Sequence, residues 1–306
     1  LEEVNSELEG SFSGIGIQFT IQEDTIHVNS VIPGGPSEKV GLMAGDRIVM
    51  VNDSLFAGKG LTNEKAMRNL KGPKGSQVKL GVKRATEKEL LDFTITRGDI
   101  PQNTIDAAYM LDDDYGYIQI SKFGRTTHVE LLNAIAQLSH EKCKGLIIDL
   151  RDNPGGWVND AQSIADIFLD KGTLCYLQYK NGERYYYRTK DGKVEMQLVI
   201  LVNENSASSS EILTGALRDR ANATVVGKKT YGKGIVQSVV PLSDGSGMQI
   251  TVAQYYTPNG YAVHKQGITP DVEVDGDNGM YELGDLTDAQ LAKALEVMQE
   301  KLAQTK

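Results

Sequence analysis

Basic residues are scarce in this 306-residue chain: 32 lysines and arginines stand against 41 aspartates and glutamates, a net charge of −9. That balance excludes a nucleic-acid partner, because neutralising phosphates needs a basic surface. No apolar run approaches the roughly 18 residues that a membrane-spanning helix requires. There are only two cysteines, Cys143 and Cys175. They are too few for a disulfide framework, their spacing fits no metal motif, and their apolar-patterned surroundings predict buried free thiols. The four histidines, His27, His128, His140 and His264, are scattered and show no ligand spacing, and none lies near the serine and lysine motifs described below, so a histidine-based triad is not expected. Internal repeats, low-complexity segments and a signal-peptide pattern are also missing. The chain starts at Leu1 instead of Met, so a mature or trimmed form is expected, and its start gives no cellular location.

What is present is the composition of a soluble globular protein, 40% hydrophobic and 24% charged, with length for two domains. Residues 11–98 read as a β-rich unit. GIGIQFTI and IHVNSVI are strand-like, LMAGDRIVMVND is a turn and a strand, and LTNEKAMRNLKG has helical periodicity. Residues 99–275 alternate strand and helix. GLIIDL and LVILVN are continuous apolar runs of the kind buried on both faces of a sheet. HVELLNAIAQLSH places Val129, Leu132, Ile135 and Leu138 at helical spacing, and TLCYLQYK with RYYYRTK predicts a hairpin. This alternation predicts an α/β core. Residues 276–306 form a helical tail with Thr287 as its expected N-cap, and residues 1–10 precede the first unit.

Four serines crowd the junction between LVILV and the helix that follows, in NENSASSSEIL. A serine hydroxyl becomes a nucleophile only with a base in reach and donors for the oxyanion. A strand-to-helix turn supplies rigidity and free N–H groups. On local chemistry alone capping outranks catalysis: Ser209 and Ser210 suit a helix start, and Glu211 suits its dipole. GKKTYGKGIVQ alters that balance by placing Lys233 between Gly232 and Gly234. One reading is a solvated lysine in a turn. The other is a buried amine acting as a general base, its pKa lowered by desolvation, with Gln237 fixing it by a hydrogen bond.

The pair SASSSEI and YGKGIVQ resembles the signature of the carboxy-terminal processing proteases, serine endopeptidases with a PDZ domain and a crotonase-like α/β core. The resemblance implies Ser208 as nucleophile, Lys233 as general base and Gln237 as the residue that orients it. GLIIDLRDNPGGW is similar to the family's loop after a buried strand. It implies an oxyanion hole from the Ser209 N–H and a glycine N–H of Gly155 or Gly156, with Gly155 favoured. Asp149 and Arg151 are expected to support this loop. YYTPNGYAVHKQGITPDVEV resembles the family's third motif, with Tyr261 where an arginine is usual.

GIGIQF with AGDRIVMVND resembles a PDZ domain, which takes an extended peptide as an added strand and holds its terminal carboxylate on backbone N–H groups. Ile15, Gly16 and Ile17 are the implied donors. Met67 and Leu70 either line the pocket for the last side chain or belong to the core. The expected partners are proteins or peptides with free C-termini, without cofactor or metal. Export to a bacterial periplasm or cell envelope is implied by the resemblance alone, and a homo-oligomer through terminal segments stays open. The rivals are an inert peptide-binding scaffold, which the complete Ser–Lys–Gln set argues against, and a crotonase-type acyl-CoA enzyme, which the PDZ-like unit argues against.

Overall fold

A computed structural model describes residues 13–100, 103–140, 143–190, 192, 194–242, 246–276 and 287–304. The expected segment 1–10 lies outside them. The chain divides into two compact units, one ending at Gln102 and one running from Asn103 to Lys306.

In the first unit five antiparallel strands, β1 (Ile17–Gln22), β2 (Thr25–Val31), β3 (Arg47–Val51), β4 (Gln77–Lys83) and β5 (Leu91–Thr96), pair in that order. Helix α1 (Asn63–Leu70) starts where the Thr62 side chain accepts the Lys65 N–H. It ends on Arg97, whose guanidinium donates to the carbonyls of Leu70 and Asn69 and so satisfies the last turn. Ile26, Ile48, Leu80, Val82 and Ile95 form a core without solvent exposure. Each contributes roughly 1.5–3 kcal/mol by burial.

The second unit is built on a six-stranded sheet. Strands β6 (Ile105–Met110), β7 (Tyr115–Ile120), β8 (Gly145–Asp149), β11 (Gln197–Val202), β12 (Thr224–Gly227) and β15 (Val272–Glu273) pair in the order β15-β12-β11-β8-β7-β6. All pairs are parallel except β6–β7. Crossover connections by α2 (Thr127–His140), α3 (Val158–Phe168) and α4 (Ser209–Ala221) follow from the parallel order. Alternate residues divide between two cores. Leu146, Ile148, Leu198 and Ile200 pack with α2, α3 and α4, while Ile147, Val199 and Leu201 pack with the C-terminal helix α5 (Ala289–Gln304). This explains why GLIID and LVILV are apolar at every step. A second sheet holds β9 (Gly172–Tyr179), β10 (Arg184–Thr189), β13 (Ile235–Pro241) and β14 (Gly247–Tyr256) in the order β10-β9-β14-β13. The hairpin expected from TLCYLQYK and RYYYRTK is β9–β10.

Three local expectations need correction. In α2 the buried face is Thr127, Leu131, Ala134, Ile135 and Leu138, whereas Val129 and Leu132 are exposed. The threefold spacing that joined Val129 to Ile135 drifts off the core side of a 3.6-residue helix. The cap of α5 is Asp288 instead of Thr287: its Oδ1 accepts the N–H groups of Gln290 and Leu291. Of the cysteines only Cys175 is buried, and Cys143 is half-buried.

Burial pushes the Cys175 thiol up to about 12, leaving about one part in 10⁴ as thiolate at pH 8. Titration of the native protein with a disulfide reagent is expected to leave Cys175 unmodified until denaturant is added. Rapid native labelling of Cys175 would contradict this.

Candidate active site

The four serines separate by what their hydroxyls hold. Ser206 Oγ donates to the Leu150 carbonyl at 2.7 Å, Ser209 Oγ to the Gly156 carbonyl at 2.8 Å, and Ser210 Oγ to the Asn153 carbonyl at 2.9 Å. These bonds fasten the start of α4 to the loop after β8. The Ser208 hydroxyl, at the N-cap of α4, donates to no acceptor among the described residues. Ser208 has φ +56° and ψ −115°, a conformation that costs a non-glycine residue on the order of 1–3 kcal/mol. Its backbone is held from several sides: the N–H donates to Glu211 Oε2 at 2.9 Å, and the carbonyl accepts the Glu211 and Ile212 N–H groups and the Tyr255 hydroxyl.

The loop of residues 153–156 closes over this turn. Asn153 fixes it, donating Nδ2–H to the Ile120 carbonyl and accepting the Gly155 N–H on Oδ1. Gly155 has φ +100°, and a Cβ there would lie 2.8 Å from Ser208 Cβ and 2.9 Å from the Ser209 nitrogen. Only glycine lets the loop approach that closely. Gly156 follows and bridges to Phe123. Gly155, Gly156, Ser208 and Ser209 are thus brought together. The Ser209 N–H has no acceptor among the described residues, while the Gly155 N–H is already engaged by Asn153.

Lys233 sits on a turn that glycine also dictates. A Cβ at Gly234 would lie 2.3 Å from the His264 nitrogen. The Lys233 N–H donates to Glu211 Oε2 at 2.9 Å, the same oxygen that takes the Ser208 N–H. The two backbone nitrogens are therefore no farther apart than those two bonds laid end to end.

The expected burial of Lys233 is not found. Its side chain is exposed and forms no hydrogen bond with Ser208 among the described residues. The turn is anchored through its backbone, and Lys233 lines an open cleft of about 840 Å³ together with Asp152, Ala207, Tyr231, Gly232 and His264. Gln237 is also exposed. It lies on β13 paired with Thr251, beside a register shift, and the structure does not join it to Lys233.

Two contributors were not legible as such. His264, set aside on chain spacing, lines the cleft with Lys233 because its backbone packs on Gly234. Glu211 is fully buried, and the S-x-x-E spacing of a capping box was the available signal for it. Burial, with the Glu211 carboxylate beside it, holds the Tyr255 phenol well above its ordinary range and so keeps it a neutral donor. Asp149 and Arg151 form a separate network behind the loop with Tyr117, Asp288 and Gln290.

In the first unit β1 has a neighbour on one side only among the described residues. A cavity of about 470 Å³ runs along it, lined by Phe19, Thr20, Ile21, Leu61, Thr62 and Asn63. Ile15 and Gly16 precede β1. Their carbonyls accept the N–H groups of Ser37 and Ile32, and Ile17 begins the strand opposite Val31. Leu70 is 3% exposed and belongs to the core, whereas Met67 is 37% exposed.

Residues 114–274 match peptidase family S41, and residues 13–96 match the PDZ domain. The chain is 38% identical over 270 residues to the carboxy-terminal processing protease CtpA of Bacillus subtilis (strain 168), covering 88% of this chain and 57% of that one. It is 36% identical over 274 residues to the carboxyl-terminal-processing protease of Synechocystis sp. (strain ATCC 27184 / PCC 6803 / Kazusa), covering 87% and 63%. It therefore spans less than two thirds of the length of these relatives. Among solved structures it is similar to a photosystem II D1 C-terminal processing protease, with a TM-score of 0.56 and 30% identity, covering 96% of this chain and 78% of that one.

Proposed function

The chain belongs to peptidase family S41 and carries a PDZ domain ahead of the peptidase region, and from that membership we propose that it is a serine endopeptidase acting through Ser208 and Lys233. The observation that carries the reading is the Ser208 hydroxyl, which donates to no acceptor among the described residues, set among three serines whose hydroxyls each donate to a backbone carbonyl. In the reaction neutral Lys233 takes the Ser208 proton, Ser208 attacks the scissile carbonyl, and the Ser209 N–H with a glycine N–H of the 155–156 turn meets the oxyanion. Lys233 returns the proton to the leaving amine, and water resolves the acyl-enzyme.

A lysine side chain can cover the short span set by the shared Glu211 oxygen, so joining the dyad takes a change of rotamer. Substrate filling the cleft supplies the desolvation that favours the neutral amine. Gln237 is assigned to orient that amine. The first unit is assigned the capture of a substrate's C-terminal end, the chain adding to the free edge of β1 and the carboxylate resting on the N–H groups of Ile15, Gly16 and Ile17. The setting assigned to it is the exported one, in the bacterial periplasm or envelope, that the family resemblance implies.

The test uses an unfolded polypeptide ending in apolar residues, offered with a free or an amidated C-terminus. Cleavage by the wild-type chain and none by Ser208→Ala is expected. Amidation is expected to weaken peptide binding to the first unit by about tenfold or more, because the carboxylate loses its donors. Equal binding of the two peptides would remove the C-terminal recognition, and absence of wild-type cleavage would remove the protease reading.

A further inference from the structure

Glu211 holds more of this site than a helix cap requires. Its carboxylate accepts five donors: the Ser208 N–H at 2.9 Å, the Gly232 N–H at 2.7 Å, the Lys233 N–H at 2.9 Å, the Thr230 hydroxyl at 2.5 Å and the Tyr255 hydroxyl at 3.4 Å. A capping role needs only the first. Three of the others come from residues 230–233 and one from β14, segments that meet α4 only through the fold. Among the described residues no cation pairs with this fully buried carboxylate. A buried anion is expensive unless its lone pairs are met. Here they are met by hydrogen-bond donors alone, two of which are the backbone N–H groups of the proposed nucleophile and the proposed base.

We propose that Glu211 is the positioning residue of this site, a buried carboxylate that locks the Ser208 turn and the Lys233 turn into one register. The inference rests on the reaction proposed above and adds the element that sets its geometry. The network extends one step further on each side. Thr230 Oγ1 donates to Glu211 and accepts the Ile268 N–H at 2.7 Å, while the Tyr231 N–H donates to the Ser206 carbonyl. The lysine turn is therefore fastened to the serine turn and to the segment that follows His264. Glu211 also takes Lys233 by its backbone and not by its amine. An ion pair with the amine would favour the charged form, which cannot accept the Ser208 proton. This arrangement fixes where the lysine starts from and leaves its nitrogen available.

The experiment compares the intact chain with Glu211→Gln and Glu211→Asp. The glutamine keeps the size but turns an N–H₂ group toward N–H donors, and the aspartate keeps the charge but is shorter by one methylene. For Glu211→Gln, kcat on a cleavable peptide is expected to fall about 100-fold, the loss that follows displacement of catalytic groups by about 1 Å. KM is expected to stay within about twofold, since substrate contacts remain. Labelling of Ser208 by a fluorophosphonate should slow in parallel. Hydrogen–deuterium exchange over residues 230–234 is expected to quicken by about tenfold or more. The aspartate variant should fall between wild type and glutamine in every readout.

A Glu211→Gln variant with kcat within about threefold of wild type would overturn the proposal, as would unchanged exchange at 230–234. If the glutamine variant fails to fold, Glu211→Asp decides on the same criteria. A wild-type chain that does not cleave at all would defeat the protease reading, and the exchange comparison would still decide whether Glu211 locks the two turns.

Discussion

Ser208→Ala is expected to lower kcat/KM by on the order of 10⁴-fold or more while leaving the melting temperature of the second unit nearly unchanged, because a nucleophile and its base act as one device. The separation of activity from stability comes from the hydrogen bonds. The Ser208 hydroxyl donates no hydrogen bond among the described residues, and the strained φ of +56° is held by backbone groups that alanine retains. Ser206, Ser209 and Ser210 should behave in the opposite way. Ser206→Ala leaves the buried Leu150 carbonyl without its 2.7 Å donor, and such a loss destabilises by about 1–3 kcal/mol. Lys233→Ala should match Ser208→Ala in activity, and its exposed side chain predicts little effect on stability. The measurement is a peptide-cleavage assay paired with thermal melting on each variant. Activity above about a tenth of wild type in Ser208→Ala would remove that residue as nucleophile.

Much of this architecture was legible because it rests on patterns that local sequence carries. GLIID and LVILV read as strands buried on both faces, and their odd and even residues do enter two different cores. The glycines of GKG and NPGG read as turns, and their reasons are close approaches: Gly234 to the His264 backbone and Gly155 to Ser208.

What sequence does not carry is the identity of a distant partner. Glu211 reads as a residue matched to a helix dipole because its spacing to Ser208 is visible, whereas its donors from residues 230–233 and Tyr255 arrive only on folding. The exposure of Lys233 is of the same kind. Flanking glycines define a turn but say nothing of what covers the side chain. The errors at Val129 and Thr287 are smaller and geometric, a drift of helical phase in one and a choice between adjacent capping residues in the other.

Behind the loop of residues 153–156, the largest stability effect is expected from Arg151→Met. Asp149 is fully buried at the end of β8, where it accepts the Tyr117 hydroxyl at 2.7 Å and Arg151 Nη2 at 2.7 Å. The other arm of the guanidinium reaches Asp288 at 2.6 Å and Gln290 at 3.1 Å, the residues at the start of α5. One cation therefore neutralises two carboxylates and ties the C-terminal helix to the sheet. Burial opposes the charge on Arg151, but Asp149 and Asp288 outweigh it and raise the guanidinium pKa. A raised folded pKa gives a contribution that is complete below the unfolded value, so the Arg151 term is flat across the neutral range. Methionine keeps the length and removes the charge, leaving Asp149 buried and uncompensated. A loss of about 3–5 kcal/mol is expected, or a fall of roughly 10 °C in the melting temperature of a unit this size. Thermal and denaturant unfolding of the intact chain, with and without the substitution, are the measurements. A loss below about 1 kcal/mol would mean that the network is no stronger than a surface ion pair and that α5 is held by its apolar face, Leu291, Ala294, Val297 and Met298 among it, and by its other hydrogen bonds.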